Sequence, residues 1–188
     1  MSPRSWFQYP SKRFDIVIVR VNLMPELKHV TIYTDGACIG NPGLGGYGVV
    51  ILYGGHRKEI SGGFTRTTNN RMELMAAIVG LLALNQRCKV TLYSDSEYVV
   101  KAVTQGWAKR WRANGWKRNK KDMALNADLW EKLLDLCEQH EVQFNWVKGH
   151  NAIPENEKCD ELSNEAASKP NLPKDAGYEE YETQKSAT

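Results

Sequence analysis

The stretch HVTIYTDGACIGNPGLGGYGVVILYGG, His29 to Gly55, decides between two folds. It contains Gly43-x-Gly45-x-x-Gly48, a literal match to the fingerprint of dinucleotide-binding folds. That fingerprint requires a helix directly after the glycines, because the helix N-terminus binds the pyrophosphate. The residues that follow, YGVVILYGG, have the pattern of a strand instead. The glycines are therefore interpreted as a turn and the start of a hairpin, and the nucleotide site is rejected.

The pattern around this stretch predicts an α/β domain. HVTIYTDG, YGVVILYGG and KEISGGF read as three strands of an antiparallel meander. NRMELMAAIVGLLALNQ, from residue 70, is apolar on most of its circumference and predicts a buried helix. Then come strand KVTLYSDS, helices EYVVKAVTQG, AKRWRANG and NADLWEKLLDLCEQH, strand EVQFNWVKG and helix NEKCDELSNEAASK. Helices that connect strands predict a five-stranded mixed sheet flanked by helices, in which right-handed crossovers add parallel strands to the meander.

Composition describes an ordinary soluble protein. With 188 residues, 41% hydrophobic and 25% charged, the chain can build one core without staples. The longest apolar runs are far too short for a membrane span, so no membrane association is expected. The four cysteines are scattered, without a CxxC pair, which favours reduced thiols and a cytoplasmic protein over a disulfide framework or zinc site.

The two ends differ from the middle. Residues 1–26 begin polar and basic and continue as a strand-like DIVIVRVNL, which predicts an N-terminal extension or a true start at Met24. Residues 170–188 contain two prolines, mostly polar side chains and no core-forming periodicity. They are predicted to be a flexible tail. Residues 27–169 are left as the folded domain.

Four acids are candidates for one site. Asp35 and Asp95 each end a hydrophobic strand, and if those strands are neighbours, both carboxylates lie at one edge of the sheet. Alone, either aspartate would be a turn or cap residue. Glu73 lies among apolar neighbours, where an unpaired carboxylate costs several kcal/mol, unless it points outward. Asp160 could equally lie on a solvated helix face. Together the four predict an oxygen-rich pocket suited to Mg²⁺ or Mn²⁺.

One histidine and one basic segment complete the candidates. His150 follows the last strand on a loop, where an imidazole can transfer protons near neutral pH, although a lone loop histidine is usually just exposed. The segment WAKRWRANGWKRNKK, Trp107 to Lys121, holds seven Lys or Arg and three Trp, in a chain whose net charge is only +3. A charge run is usually a solvated helix face. Three indoles favour nucleic-acid contact as well as packing.

These segments resemble the bacterial type 1 ribonuclease H family. The resemblance rests on YTDGACIGNPGLGGYG, TRTTNNRMELMAAIVGLLAL, LYSDSEYV, WVKGHNAIPENEKCDELS and the basic segment, in family order and spacing. It implies a ribonuclease H-like fold over residues 27–169, with the basic segment as a protrusion beside the cleft. It also implies a monomer that cleaves the RNA strand of RNA/DNA hybrids. The sequence does not decide whether a single-stranded-DNA-binding protein recruits the enzyme.

The resemblance assigns roles residue by residue. Asp35, Glu73, Asp95 and Asp160 match the four metal-binding carboxylates, and His150 matches a mobile histidine that assists proton transfer or product release. Two ions about 4 Å apart activate water and stabilise the leaving 3′-oxygen, giving 5′-phosphate and 3′-hydroxyl ends.

Further positions match the family's substrate contacts. The 2′-hydroxyl distinguishes RNA from DNA. Positions that match contacts in the minor groove are Cys38 (largely by its backbone), Asn41, Thr68, Asn69 and Asn70. Positions that match contacts of the basic protrusion, including those to the phosphates of the DNA strand, are Trp107, Lys109, Arg110, Trp111, Arg112, Trp116, Lys117 and Arg118.

The chain departs from the family at two positions. Glu97 stands where the family commonly has Gln, and a carboxylate cannot donate a hydrogen bond and repels phosphate. Ile153 replaces a second histidine in the loop after His150. Two other classes remain as alternatives: a hybrid-binding module would lack a carboxylate, and a DNA-strand-transfer enzyme would lack the Glu of NNRMEL.

Overall fold

The computed structural model describes residues 26–149 and 151–187 and contains one five-stranded sheet flanked by helices. Its strands are β1 (His29–Ile39), β2 (Gly43–Tyr53), β3 (His56–Thr67), β4 (Lys89–Ser94) and β5 (Glu141–Trp146). Its helices are α1 (Asn69–Leu82), α2 (Glu97–Thr104), α3 (Trp107–Ala113), α4 (Ala127–Gln139), α5 (Pro154–Ala167) and α6 (Ala176–Ser186). The predicted N-terminal extension lies almost entirely outside the described residues.

The sheet has the predicted mixed topology, with strand order β3-β2-β1-β4-β5. β1, β2 and β3 form the antiparallel meander, and β4 and β5 add to β1 in parallel. Because β1 and β4 are parallel neighbours, with Thr34 beside Ser94, the residues that follow, Asp35 and Asp95, come to the same edge of the sheet. This neighbour relation was the condition on which the pairing of Asp35 with Asp95 depended. The prediction that the first strand ends at Asp35 is wrong, since β1 continues to Ile39 through its pairing with β2.

Helices cover the sheet on both faces. On one face α1 packs on β1 and β2, and α4 packs on α1, so that Ile32, Leu92 and Trp130 are fully buried between them. On the other face α5 packs on β1, β2 and β3. Gly46 and Gly48 permit this approach, since a Cβ atom at either position would collide with the α5 backbone. Two glycines of the opening stretch therefore serve helix packing, not phosphate binding.

The C-terminal segment, which the sequence predicts as a flexible tail, contains helix α6 and contacts the rest of the domain. Thr65 donates a backbone hydrogen bond to the carbonyl of Pro173 (2.9 Å), and Tyr178 is buried. Asp175 accepts a hydrogen bond from the Thr67 hydroxyl at 2.6 Å and caps α6 through the Tyr178 N–H. The attachment of this segment could not be predicted from its composition, because buried polar pairs attach it and not a stripe of apolar residues.

The cysteines and the lengths of the helices bear on two predictions from composition. All four cysteines are free thiols, as their scattered positions predicted. In residues 26–149 and 151–187, no helix has both the length and the apolar character needed to cross a bilayer.

Candidate active site

Three of the predicted acids meet at the carboxyl edge of the sheet. Asp35 lies in β1 and Asp95 directly follows β4, while Glu73 comes from the second turn of α1. One carboxylate oxygen from each residue lies within 4.8 Å of the other two. The hypothesis that Glu73 points outward is therefore wrong, and the three residues are called the carboxylate cluster below.

The close contact of α1 with β1 brings Glu73 to the cluster. Gly36 follows Asp35, and a Cβ atom at this position would overlap the backbone nitrogen of Glu73. Only glycine leaves room for the helix here. The sequence Asp35-Gly36, which alone indicates a turn, instead sets the distance between a strand and a helix that each carry a carboxylate.

The cluster is electrostatically unfavourable without a cation. Burial, followed by the charge of Asp95, raises the pKa of Asp35 to about 6, although the Ser163 hydroxyl opposes this shift. Burial and the charges of Asp35 and Asp95 raise the pKa of Glu73 well above its ordinary value. The Oε2 atom of Glu73 is buried without a hydrogen-bond partner among the described residues. Buried, mutually repelling oxygen ligands with an orphaned acceptor fit a divalent cation such as Mg²⁺ or Mn²⁺.

Asp160 lies near the cluster but does not belong to it at this distance. Its charge contributes to the raised pKa of Asp35. Its Oδ1 atom accepts a hydrogen bond from the Asn164 side chain at 2.9 Å, one turn along α5. Its role as a fourth metal ligand therefore stays a prediction.

The loop that carries the predicted histidine approaches the cluster. His150 itself lies outside the described residues, and its role stays a prediction. The preceding Gly149 lies so close to Asp95 that a Cβ atom there would be 2.9 Å from the Asp95 Oδ2 atom. Trp146, at the end of β5, donates its indole N–H to the Asp95 carbonyl at 3.0 Å. This loop therefore begins against the edge of the sheet that carries the carboxylate cluster.

The predicted groove residues gather beside the same edge. The backbone N–H of Asn69 donates to the Asn41 side chain at 3.3 Å, which joins the β1–β2 turn to the start of α1. The Cys38 thiol contacts the carbonyls of Gly40 and Thr67. Thr68 is the N-cap of α1 and makes no side-chain capping bond, which leaves its hydroxyl without a helix partner.

Glu97 begins α2 directly after the Asp95-Ser96 pair. Its carboxylate forms an ion pair with Lys101 at 2.6 Å, one turn along the helix. Both side chains are largely exposed. The lysine partly offsets the negative charge that a phosphate would meet at this departure from the family.

The tryptophans of the basic segment serve packing more than the sequence suggested. Trp111 contacts the buried Trp130 edge to face, with ring centroids 6.0 Å apart. Trp116 donates its indole N–H to Glu131 at 3.1 Å. Trp107 also packs against the core. These contacts attach the protrusion to the domain.

The cations of the basic segment fall into two groups. Arg112 forms ion pairs with three acids of α4, Glu131, Asp135 and Glu138. Arg118 pairs with Asp122 at 3.3 Å, and Arg110 donates to the Gln105 carbonyl at 2.9 Å. The side chains without an ion pair or hydrogen bond within the described part of the chain are those of Lys109, Lys117, Lys120 and Lys121. These lysines are the cations most available to a polyanion.

Two residues that contact the cluster were missed in the sequence. Asn156 donates to Asp95 at 3.2 Å, and Ser163 donates to Asp35 at 2.8 Å. Their spacing around Asp160, at positions i, i+4 and i+7, places all three on one face of α5. That spacing was readable, but small polar residues in a helix rich in charged side chains gave no reason to single it out.

Comparison with known proteins identifies the family. A family profile described as RNase H matches residues 27–168. A ribonuclease H of Desulforamulus reducens is 66% identical over 157 residues, which are 84% of this chain and 99% of that protein. The crystal structure of LC9-RNase H1, described as a type 1 RNase H with the type 2 active-site motif, superposes with a TM-score of 0.70 at 32% identity, covering 84% and 82% of the two chains. LC11-RNase H1, solved in complex with an RNA/DNA hybrid, superposes with a TM-score of 0.55 at 27% identity, covering 73% of this chain and 96% of that one.

The matched residues contain the whole carboxylate cluster, the groove residues and the basic segment. The fold, the cluster and the relatives agree, and the chain belongs to the ribonuclease H family of hydrolytic endonucleases.

Proposed function

We propose that the chain hydrolyses the RNA strand of RNA/DNA hybrids with two divalent ions, Mg²⁺ or Mn²⁺, and leaves 5′-phosphate and 3′-hydroxyl ends. The observation that carries this proposal is the carboxylate cluster, two buried acids and one half-buried acid with oxygens within 4.8 Å of one another. Asp35, Glu73 and Asp95 would hold the ions, with Asp160 as a further ligand. When bound, the ions supply an activated water and neutralise charge at the leaving 3′-oxygen.

The residues around the cluster prepare it for this chemistry. β1, β4 and α1 hold the three carboxylates on rigid elements, so little rearrangement is needed when a charged substrate arrives. Burial of Asp35 and Glu73 lowers the local dielectric constant and strengthens their interaction with a cation. His150, which follows Gly149 in the sequence, would assist proton transfer or product release.

Two neighbouring surfaces would select the substrate. The β1–β2 turn and the start of α1, with Cys38, Asn41, Asn69 and Asn70, would contact the minor groove and the 2′-hydroxyl that marks RNA. The basic segment would bind the phosphates of the strand that is not cut, a contact that adds affinity without itself distinguishing a hybrid from duplex DNA. The complex of LC11-RNase H1 with a hybrid supports the same substrate class.

The chemistry of the ends tests the reaction. Purified protein is incubated with Mg²⁺ and a hybrid whose RNA strand carries an internal label, beside duplex RNA and duplex DNA. We expect RNA fragments from the hybrid alone. A polymerase should extend their 3′ ends without treatment, and phosphatase should release phosphate from their 5′ ends. Fragments that end in a 2′,3′-cyclic phosphate would contradict hydrolysis by metal-activated water, since they arise from attack by the 2′-hydroxyl.

The salt dependence of binding tests the role of the lysines in the basic segment. Replacing both Lys109 and Lys117 by Ala should raise KM for the hybrid and largely preserve turnover at saturation. The logarithm of the association constant decreases linearly with the logarithm of the salt concentration. If each lysine neutralises one phosphate, the magnitude of this negative slope decreases by about 1.8, at ~0.9 per contact. Fluorescence anisotropy with a labelled hybrid from low to moderate salt gives this slope.

The matched control for this experiment is the double replacement of Lys58 and Lys89. Both are exposed and lie at the opposite end of the sheet from the cluster. The control should keep the slope of the unmodified protein. An equal reduction in both double variants would mean that total charge, and not the protrusion, determines binding.

A further inference from the structure

The face of α5 that lies against the cluster carries two neutral hydrogen-bond donors. The Ser163 hydroxyl is 2.8 Å from the Oδ2 atom of Asp35, and Ser163 is fully buried. The Asn156 amide nitrogen is 3.2 Å from the Oδ2 atom of Asp95, and Asn156 is 3% exposed. Each of the two strand-borne carboxylates therefore has one oxygen occupied by a donor from the same helix.

The orientation of the Asn156 amide follows from its neighbour. The reverse orientation would place a carbonyl oxygen 3.2 Å from a carboxylate oxygen, with no proton between the two acceptors. With the nitrogen toward Asp95, the Oδ1 atom of Asn156 is buried and has no partner among the described residues. An unpaired buried acceptor is unfavourable for folding, so retaining it points to a functional constraint on the amide.

The Ser163 hydroxyl has a choice of acceptors. Its oxygen is 2.8 Å from Asp35 and 2.9 Å from the carbonyl of Asp160, one turn earlier in α5. A hydroxyl has one proton, and a charged carboxylate is a stronger acceptor than a backbone carbonyl already within a helix. The proton therefore goes to Asp35.

We propose that Asn156 and Ser163 are positioning residues that hold Asp95 and Asp35 in the orientation required for divalent-cation binding. Each donor stabilises the negative charge and fixes one oxygen, which leaves the other oxygen directed toward the cation. Partners of this kind around metal-ligating carboxylates typically change metal affinity by 10- to 100-fold when they are removed. This inference rests on the proposed use of the cluster as the metal site.

Metal binding without substrate tests the proposal directly. Isothermal titration calorimetry with Mn²⁺ is performed on the unmodified protein and on Ser163→Ala, Asn156→Ala and Asp35→Asn. We expect the dissociation constant for Mn²⁺ to rise about tenfold in each of the two positioning variants. In cleavage assays the Mg²⁺ concentration for half-maximal rate should rise similarly, saturating Mg²⁺ should largely restore turnover, and KM for the hybrid should stay unchanged.

Controls separate this effect from loss of structure and from failure of the underlying function. Ser168→Ala removes the hydroxyl of the residue that caps the C-terminus of α5, which bonds to the Asn164 carbonyl and to no other described residue, and it should bind Mn²⁺ like the unmodified protein. Urea unfolding reports whether each variant is folded.

The Mn²⁺ titrations distinguish failure of the positioning role from failure of the metal site. If Asp35→Asn loses Mn²⁺ binding while folded Ser163→Ala and Asn156→Ala bind it normally, the positioning role is wrong and the metal site stands. If Asp35→Asn binds Mn²⁺ as tightly as the unmodified protein, the cluster is not the metal site and both proposals fall.

Discussion

Replacing Asp35 by Asn is expected to abolish cleavage and, in the absence of metal, to make the protein more stable. The pKa of Asp35 is raised to about 6, because the carboxylate is buried beside Asp95. The folded protein therefore binds this proton more tightly than the unfolded chain does. Between the unfolded value near 4 and the folded value, folding becomes less favourable as the pH rises, and above both values the full penalty remains. A shift of this size corresponds to roughly 3 kcal/mol at neutral pH, to order of magnitude.

Urea unfolding in EDTA measures this effect. We expect Asp35→Asn to raise the free energy of unfolding by about 1–3 kcal/mol at pH 7.5, and by roughly half as much at pH 5, where the native carboxyl is mostly protonated but the unfolded one is mostly ionised. The amide keeps an oxygen that can accept from Ser163. The control is Glu165→Gln, an exposed position of α5, which should change stability by less than about 0.5 kcal/mol at either pH. Destabilisation by Asp35→Asn at pH 7.5 would contradict the proposed repulsion in the cluster.

Replacing Arg71 by Ala should destabilise the protein by about 3–5 kcal/mol, because it leaves a buried charge uncompensated. The Arg71 side chain is 3% exposed and donates two hydrogen bonds to Asp175, at 2.7 and 2.8 Å. It donates two more to Asp128, at 2.7 and 2.9 Å. Asp175 is itself 4% exposed, whereas the Asp128 side chain is 46% exposed. Without Arg71, Asp175 would be buried with only the Thr67 hydroxyl and a backbone N–H.

The contact between Arg71 and Asp175 also attaches α6 to the domain. We therefore expect Arg71→Ala to lower the free energy of unfolding of the domain and, in addition, to loosen α6 locally. Urea unfolding measures the first effect, and limited proteolysis with mass spectrometry should show faster cleavage near residues 169–176. Arg66→Ala is the matched control, because its ion pair with Glu182 is exposed to solvent, which screens it, and contributes little to stability. Equal losses in the two variants would contradict the special role of the buried pair.

The pH dependence of this attachment has the opposite sign to that of the cluster. The Arg71 guanidinium and the Thr67 hydroxyl hold the pKa of Asp175 below its ordinary value against the effect of burial. The stabilisation is therefore fully present above the unfolded value, near 4, and is lost as the pH falls through the lower folded value. Attachment of α6 should weaken only in strong acid.

The sequence predicted those parts of the fold and the site that depend on local pattern. Periodicity alone identifies the strands of Asp35 and Asp95, and the parallel pairing of β1 with β4 brings the two aspartates together, although β1 continues beyond Asp35 to Ile39. The apolar neighbours of Glu73 indicated a buried carboxylate. Its position in the cluster, however, depends on the contact between Gly36 and the backbone of α1. That contact lies between elements far apart in sequence, and no periodicity reveals it.

Features that depend on polar contacts between distant segments were not predicted from the sequence. Arg71 and Asp175 are 104 residues apart, and neither looks unusual in its own segment. The basic segment was read as a set of equivalent cations, yet acids of α4 neutralise Arg112 and leave the lysines free of such partners among the described residues. In each case the partner belongs to another helix or strand, and the composition of a segment does not reveal which distant side chain it contacts.

The carboxylate cluster is proposed to perform metal-dependent cleavage of the RNA strand. The most direct measurement follows a hybrid with different labels on its two strands, with Mg²⁺ or with EDTA, using the unmodified protein and Glu73→Gln. We predict cleavage of the RNA strand alone, only with Mg²⁺, and a rate at least about a thousandfold lower for the folded variant. Cleavage in EDTA, or a Glu73→Gln variant as active as the unmodified protein, would contradict the claim.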